Sequence, residues 1–287
     1  MSALADAIAA AFKAACRDEL DAPKPGNVHV FASGHRMTAC EFVRSAEAAA
    51  GPLTAPGARV GERILGAVEA TFAAVGSNTN LGIILLCAPL AAAAELKSED
   101  LRAGLAQMLD HLDVRDAELS FRAIARAAPA GLGRTERHDV FAPATVTLKA
   151  AMAEAAQRDR IARQYVCAFE DVFERGEPVL EPALSRSSDR AWTTLAVYLE
   201  FLCAFPDSHI VRKHGFDTAE EVRRAARPFQ VRMQSGEGRG ALLPDLLQWD
   251  ASLKQRGINP GTSADLTVAT LFAHRLRTIL PSARNSG

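Results

Sequence analysis

The segment from Leu81 to Ala94, L-G-I-I-L-L-C-A-P-L-A-A-A-A, constrains the fold more than any other part of the chain. It carries no charged or strongly polar side chain until Glu95, so as a helix it offers no face to water and belongs at the centre of the molecule. Its 14 residues fall short of the roughly 20 that a membrane-spanning helix needs. With 287 residues, 48% of them hydrophobic, the chain has ample material to surround such a helix in one domain.

Directly ahead lies a polar knot, V-G-S-N-T-N-L-G from Val75 to Gly82, following a helix-forming run that starts at Gly57. Gly76 stands where a helix C-cap is expected, and Ser77, Asn78, Thr79 and Asn80 where the next N-cap is expected. The unpaired N–H groups of a helix start suit an anionic oxygen. A simple helix-turn-helix junction gives the same pattern, and both readings stand at this point.

Thirty-three Lys and Arg balance 34 Asp and Glu, a formal charge of -1 that argues against a duplex-binding surface or an anionic-membrane anchor. The five cysteines are scattered without a C-x-x-C pair, so a disulfide framework is not expected and a reducing cytoplasm fits. Seven histidines lack H-x-x-H spacing, which speaks against zinc. The N-terminal stretch holds Asp6 and no basic leader, so it does not read as a signal peptide.

The rest of the chain reads as helices separated by polar turns. Leu4, Ile8, Ala11, Phe12 and Ala15 make an amphipathic first helix. A structured loop follows from Asp21 to Met37, and Thr38 with Glu41 forms a capping box for the next helix. Further helices are expected from Ser98 to His111, Asp113 to Ala128, Pro143 to Gly176 with a break near Arg158, and Ser187 to Phe205. Pro206 to Gly215 reads as a connection. Asp217 to Ser235 reads as a helix entered through Thr218 and Glu221 and kinked at Pro228, and Ala241 to Gly257 as another. Thr262 and Asp265 open the last one as a capping box. No alternating β-branched run is long enough for a strand, so the expected fold is all-α.

Three motifs in order, Lys24-Pro25-Gly26-Asn27, Gly76 to Gly82, and Asn259-Pro260-Gly261-Thr262-Ser263-Ala264-Asp265-Leu266, resemble the triphosphoribosyl-dephospho-CoA synthase family. The chain departs from that family where Asn80-Leu81 stands in place of His-Lys and where Met37-Thr38-Ala39 replaces an acidic pair. Its middle, around Arg137-His138-Asp139, resembles a divergent branch associated with one-carbon-carrier metabolism.

What the resemblance implies is a transferase that moves the triphosphoribosyl group of ATP to the ribose 2′-hydroxyl of dephospho-CoA and expels adenine. That chemistry needs a proton acceptor, negative charge near an oxocarbenium-like carbon, and cations for the triphosphate. The candidate catalytic residues are Asp159, Asp139 and His35, with Asp139 and Asp159 also the candidate ligands of a Mg²⁺ that accompanies ATP. The candidate binding residues are Lys24, Asn27, Ser77, Asn78, Thr79, Asn80, Arg158, Arg163, Arg212, Lys213, Asn259 and Asp265. The expected partners are ATP and a nucleotide-like acceptor, not nucleic acid or membrane, and a homodimer is compatible. Alternatives are a related transfer in building a pterin or furan one-carbon carrier, or a nucleotide-binding protein without catalysis. Asp159 and Arg163, four residues apart, could also form only a local ion pair.

Overall fold

The computed structural model describes residues 3–32, 38–96, 98, 100–128 and 137–284, the last four through their backbone alone. Fourteen α-helices follow in order: α1 (Ala3–Asp21), α2 (Ala39–Leu53), α3 (Val60–Val75), α4 (Leu81–Glu95), α5 (Leu101–Asp110), α6 (Val114–Ala127), α7 (Leu148–Ala155) and α8 (Arg160–Val166). A π-helical turn, Val172–Gly176, leads into α9 (Glu177–Arg186), and then come α10 (Arg190–Ala204), α11 (Ser208–His214), α12 (Phe216–Gln234), α13 (Arg239–Gln255) and α14 (Gly261–Arg284). Among the described residues the one β-type pairing is an isolated bridge between His29 and Ala32, so the fold is all-α as its sequence predicts. Among the same residues no helix is long and apolar enough to cross a membrane.

Helix α4 is the hub. Every residue from Ile83 to Ala94 is buried, and α1, α2, α3, α5, α8 and α14 all pack on it. Pro89 lies inside this helix and has no N–H to give the carbonyl of Leu85 one turn earlier. The orphaned acceptor is met from outside: the buried Tyr165 hydroxyl donates to the Leu85 carbonyl at 2.6 Å. A second apolar cluster joins α10 to α11, α12 and α13 through Leu195, Tyr198, Ile210, Val222, Leu242 and Leu246, with Phe229 stacked on Trp249 at 5.0 Å. Helix α10 serves both cores, since Val197 and Phe201 belong to the first and Tyr198 and Leu199 to the second.

Several local expectations shift. The capping box of Thr38 and Glu41 forms, but α3 starts at Val60 rather than Gly57. Helix α5 is capped by Asp100, which accepts from the Arg102 and Ala103 amides, and not by Ser98. The segment from Pro206 to Gly215 holds α11, because Asp207 caps it by accepting from the His209 and Ile210 amides. Helix α12 begins at Phe216 and runs through Pro228 to Gln234; Thr218 donates back to the His214 carbonyl and Glu221 pairs with Arg256, so those two form no capping box. Helix α14 likewise starts at Gly261, one residue before Thr262, and Thr262 accepts from the His209 amide rather than boxing with Asp265.

Tyr165→Phe removes one oxygen and leaves the Leu85 carbonyl buried without a donor. The expected loss is about 1–3 kcal/mol in urea unfolding, and it should shrink when Pro89→Ala restores a backbone N–H beneath that carbonyl.

Candidate active site

The two proline-glycine loops meet because glycine permits it. Gly26 has φ +80°, and a Cβ there would lie 2.8 Å from Pro260 Cδ, so the first loop rests directly on the second. The Gly26 amide donates to Asp250 Oδ1 at 2.8 Å, and Asn27 Nδ2 donates to Asn259 Oδ1 at 2.8 Å. This junction, distant in sequence, fixes one rim of a cavity of about 710 Å³, within the size range of small-molecule sites.

Five further segments supply most of the polar lining. They are Ser77 to Ile83 at the start of α4, Arg137 to Val140, Arg158 and Asp159 between α7 and α8, Ser208 to Lys213 with α11, and Gly261 to Asp265 with α14. Asn80 occupies the N-cap of α4, yet its side chain does not cap: its oxygen accepts instead from the Thr71 hydroxyl at 3.2 Å. Asn78 accepts from the Leu81 amide at 3.2 Å, and Thr79 donates to Ser45 at 2.7 Å. The polar knot is thus a built turn that opens the positive end of the buried central helix into the cavity.

Asp265 dominates the electrostatics. Its carboxylate packs on the α4 backbone so closely that a Cβ on Gly82 would come 2.0 Å from Oδ2, yet it makes no hydrogen bond or ion pair with any described residue. Burial pushes its pKa well above the usual carboxylate range, and the nearby Glu19, Asp207 and Asp159 push it further, against the pull of Arg212. Asp207 itself is consumed structurally: it caps α11 and accepts both the amide and the hydroxyl of Ser263 at 2.8 Å, tying α11 to α14.

The other predicted residues divide clearly. Asp159 lines the cavity but caps α8, accepting from the Ile161 and Ala162 amides at 2.9 and 3.1 Å, and it pairs with Arg212 at 3.5 Å. Asp139 lines the cavity and accepts from the Phe141 amide at 2.8 Å. Arg158, Arg212 and Lys213 supply positive charge to the same wall. Two expectations are corrected. Lys24 does not reach the cavity; it is fully buried, donating to the carbonyls of Glu19 and Val28 at 2.6 and 2.8 Å. Arg163 does not line it either and pairs with Glu170 at 3.4 Å rather than with Asp159. His35 lies outside the described residues. Among those residues no group of three or more His, Cys, Asp or Glu side chains forms a cage for a metal ion.

Sequence reasoning missed Glu19 and His209, both of which line the cavity. Glu19 had a signal, since it continues the buried stripe Ile8, Phe12, Ala15 of α1 where an apolar residue belongs. His209 had none in the sequence; its ring lies so close to Gly261 that a Cβ there would sit 2.3 Å from Nδ1.

The raised pKa of Asp265 has a consequence for stability. The folded state holds that proton more tightly than the unfolded chain, so the stabilisation is full below the ordinary aspartate pKa of about 4 and is lost as pH rises through the higher folded value. Asp265→Asn should therefore gain in melting temperature relative to the wild type as pH is raised. A difference that stays constant with pH would show that the carboxylate is not strained by burial.

Three comparisons bear on identity. The structure is similar to a crystal structure from Archaeoglobus fulgidus described as a triphosphoribosyl-dephospho-CoA synthase, with a TM-score of 0.62, 24% identity, and coverage of 80% of this chain and 95% of that one. At that identity the likeness establishes the shared fold. No curated protein matches the chain significantly. The sequence profile of the CitG family, ATP:dephospho-CoA triphosphoribosyl transferase, matches residues 5–283, nearly the whole chain, and the protein therefore belongs to that family of transferases.

Proposed function

We propose that the cavity is the active site in which the triphosphoribosyl group of ATP is passed to the 2′-hydroxyl of dephospho-CoA, with Asp265 moving the proton. The observation that carries this is a carboxyl group standing in the cavity without a hydrogen-bond or ion-pair partner among the described residues, its pKa raised by burial, beside a wall of cations.

The reaction breaks the bond between ribose C1 and adenine, the electron pair leaving with the base. A lone pair of the acceptor oxygen forms the new C1–O bond. Asp265 gives the proton that its raised pKa retains to the departing adenine and takes up the one released by the acceptor hydroxyl, so no net proton is gained or lost. Arg158, Arg212 and Lys213 bind the triphosphate, which stays intact, and Asp159 holds Arg212 in position. The start of α4, with Asn78 and Gly82, offers backbone N–H groups to a ribose or phosphate oxygen.

ATP arrives with Mg²⁺, an ion that phosphates hold with only one or two protein carboxylates. Asp139 and Asp159, whose carboxylates both lie in the cavity wall, would hold it, Asp159 while also paired with Arg212. The ion would offset the charge of the triphosphate. The same reading puts the protein in the cytoplasm, in keeping with five unpaired cysteines. One chain supplies every residue of the scheme, so a homodimer would not be needed to complete the site.

Adenine release, followed chromatographically, should require both ATP and dephospho-CoA. Asp265→Asn should lower kcat by about 10²–10⁴-fold while KM for ATP stays within a few-fold. An unchanged rate would remove Asp265 from the chemistry. Arg158→Gln and Lys213→Gln should instead each raise KM for ATP about tenfold or more with little change in kcat, as expected when a charge-assisted contact is lost equally from ground and transition states. A fall in kcat alone would contradict their assignment to binding.

A further inference from the structure

Glu19 and Lys24 form a charge pair in which neither side chain meets bulk water: their side-chain exposures are 3% and 0%, and the ions are 3.1 Å apart. All three contacts of the lysine point inward, two to backbone carbonyls and one to the Glu19 carboxylate, on a loop stiffened by Pro23 and Pro25. A buried pair of this kind contributes little to folding compared with apolar residues of the same volume. Its position supplies another reason for it, since Glu19 lies in the wall of the cavity that also holds Asp265. Two carboxyl groups therefore share one cavity: burial raises the pKa of both, and at Glu19 alone a fixed ammonium, that of Lys24, opposes the rise. Glu19 has a cation fixed against it, and Asp265 has no hydrogen-bond or ion-pair partner among the described residues. Environments that set two acids apart in this way divide their roles.

Resting on the assignment of the cavity above, we propose that Glu19, with Lys24 fixed against it, is a second catalytic carboxylate, which faces the ribose and stabilises the positive charge that develops at C1 as adenine leaves. Lys24 is its positioning residue. Glu19 forms no bond and accepts no proton; Asp265 alone carries the proton of the transfer. The groups facing Glu19 are Lys24 on the adjoining loop, Cys16 one turn back on α1, Asp265 on α14 and Tyr198 on α10, with Asp250 and Lys254 of α13 behind Lys24. Among these, Lys24 is the cation in contact with the carboxylate.

The test uses the full chain with ATP and dephospho-CoA, reading adenine release per folded molecule. Glu19→Gln should lower kcat about a hundredfold or more with KM for ATP held within about threefold, because the interaction exists only in the transition state. Glu19→Asp, which keeps the charge and its partner, should recover part of that loss. Lys24→Met should shift the acid limb of the kcat profile to higher pH, since Glu19 then loses the cation that opposes the rise in its pKa. A merely structural pair would lower the melting temperature and leave both kcat and that limb in place. If Glu19→Gln turns over at the wild-type rate while Asp265→Asn is inactive, the role of Glu19 is overturned and the cavity assignment stands. If neither variant is slowed, both fall. An unmoved limb in folded Lys24→Met overturns the positioning role. Should Lys24→Met not fold, Glu19→Gln and Glu19→Asp decide: equal, wild-type rates overturn the proposal, and loss with partial recovery supports it.

Discussion

A helix without a polar face has to be enclosed, and that requirement organises the molecule. Helix α4 is covered by six neighbours, so its first turn cannot reach the outer surface as most helix starts do. It opens instead into the cavity, which brings its positive end to the place where an anionic substrate is to be held. The same enclosure explains the hydroxyl of Tyr165 deep in the core. A proline in a buried helix frees a carbonyl that water cannot satisfy, and a side chain from α8 does so instead.

Around the cavity, acidic groups are separated by what surrounds them. Asp207 and Asp159 spend their oxygens on helix starts, and Asp159 adds an arginine. Glu19 has a lysine. Asp265 has neither cap nor ion pair among the described residues, and Glu19, Asp207 and Asp159 outweigh the pull of Arg212 on it. One carboxyl thus carries the full cost of burial, an arrangement that weakens folding and suits proton transfer. The cations line the wall formed by the α7–α8 turn and α11, where they can meet a triphosphate without neutralising Asp265 directly.

Much of this was legible in the sequence, and the reason is that the signals were local. The all-α class followed from helical spacing, the central helix from its uniform apolarity, and the turns from glycine, proline and amides. The motifs at Lys24, Gly76 and Asn259 carried the family. What the sequence could not convey was direction. Lys24 reads as an exposed loop cation, but the loop turns it inward to Glu19. Asp265 reads as a cap, but Asp207, some sixty residues earlier in the chain, takes the Ser263 amide in the first turn of α14 and leaves Asp265 facing the cavity. Asp159 reads as a site acid or a local partner of Arg163, and in the fold it caps the start of α8 and pairs with Arg212. The short helix α11 was hidden by its polar composition, although Asp207 followed by Ser208 is an ordinary helix start.

The central claim is that burial among acids gives Asp265 a proton affinity unlike that of a surface carboxylate. Infrared difference spectroscopy of the ligand-free protein, titrated from about pH 4 to about pH 9 and compared with Asp265→Asn, reads that directly. The account predicts a protonated-carboxyl band that persists above the ordinary aspartate range and is absent from the variant. If that band disappears by about pH 5 in the wild type, Asp265 behaves as a solvated carboxylate and the account is contradicted.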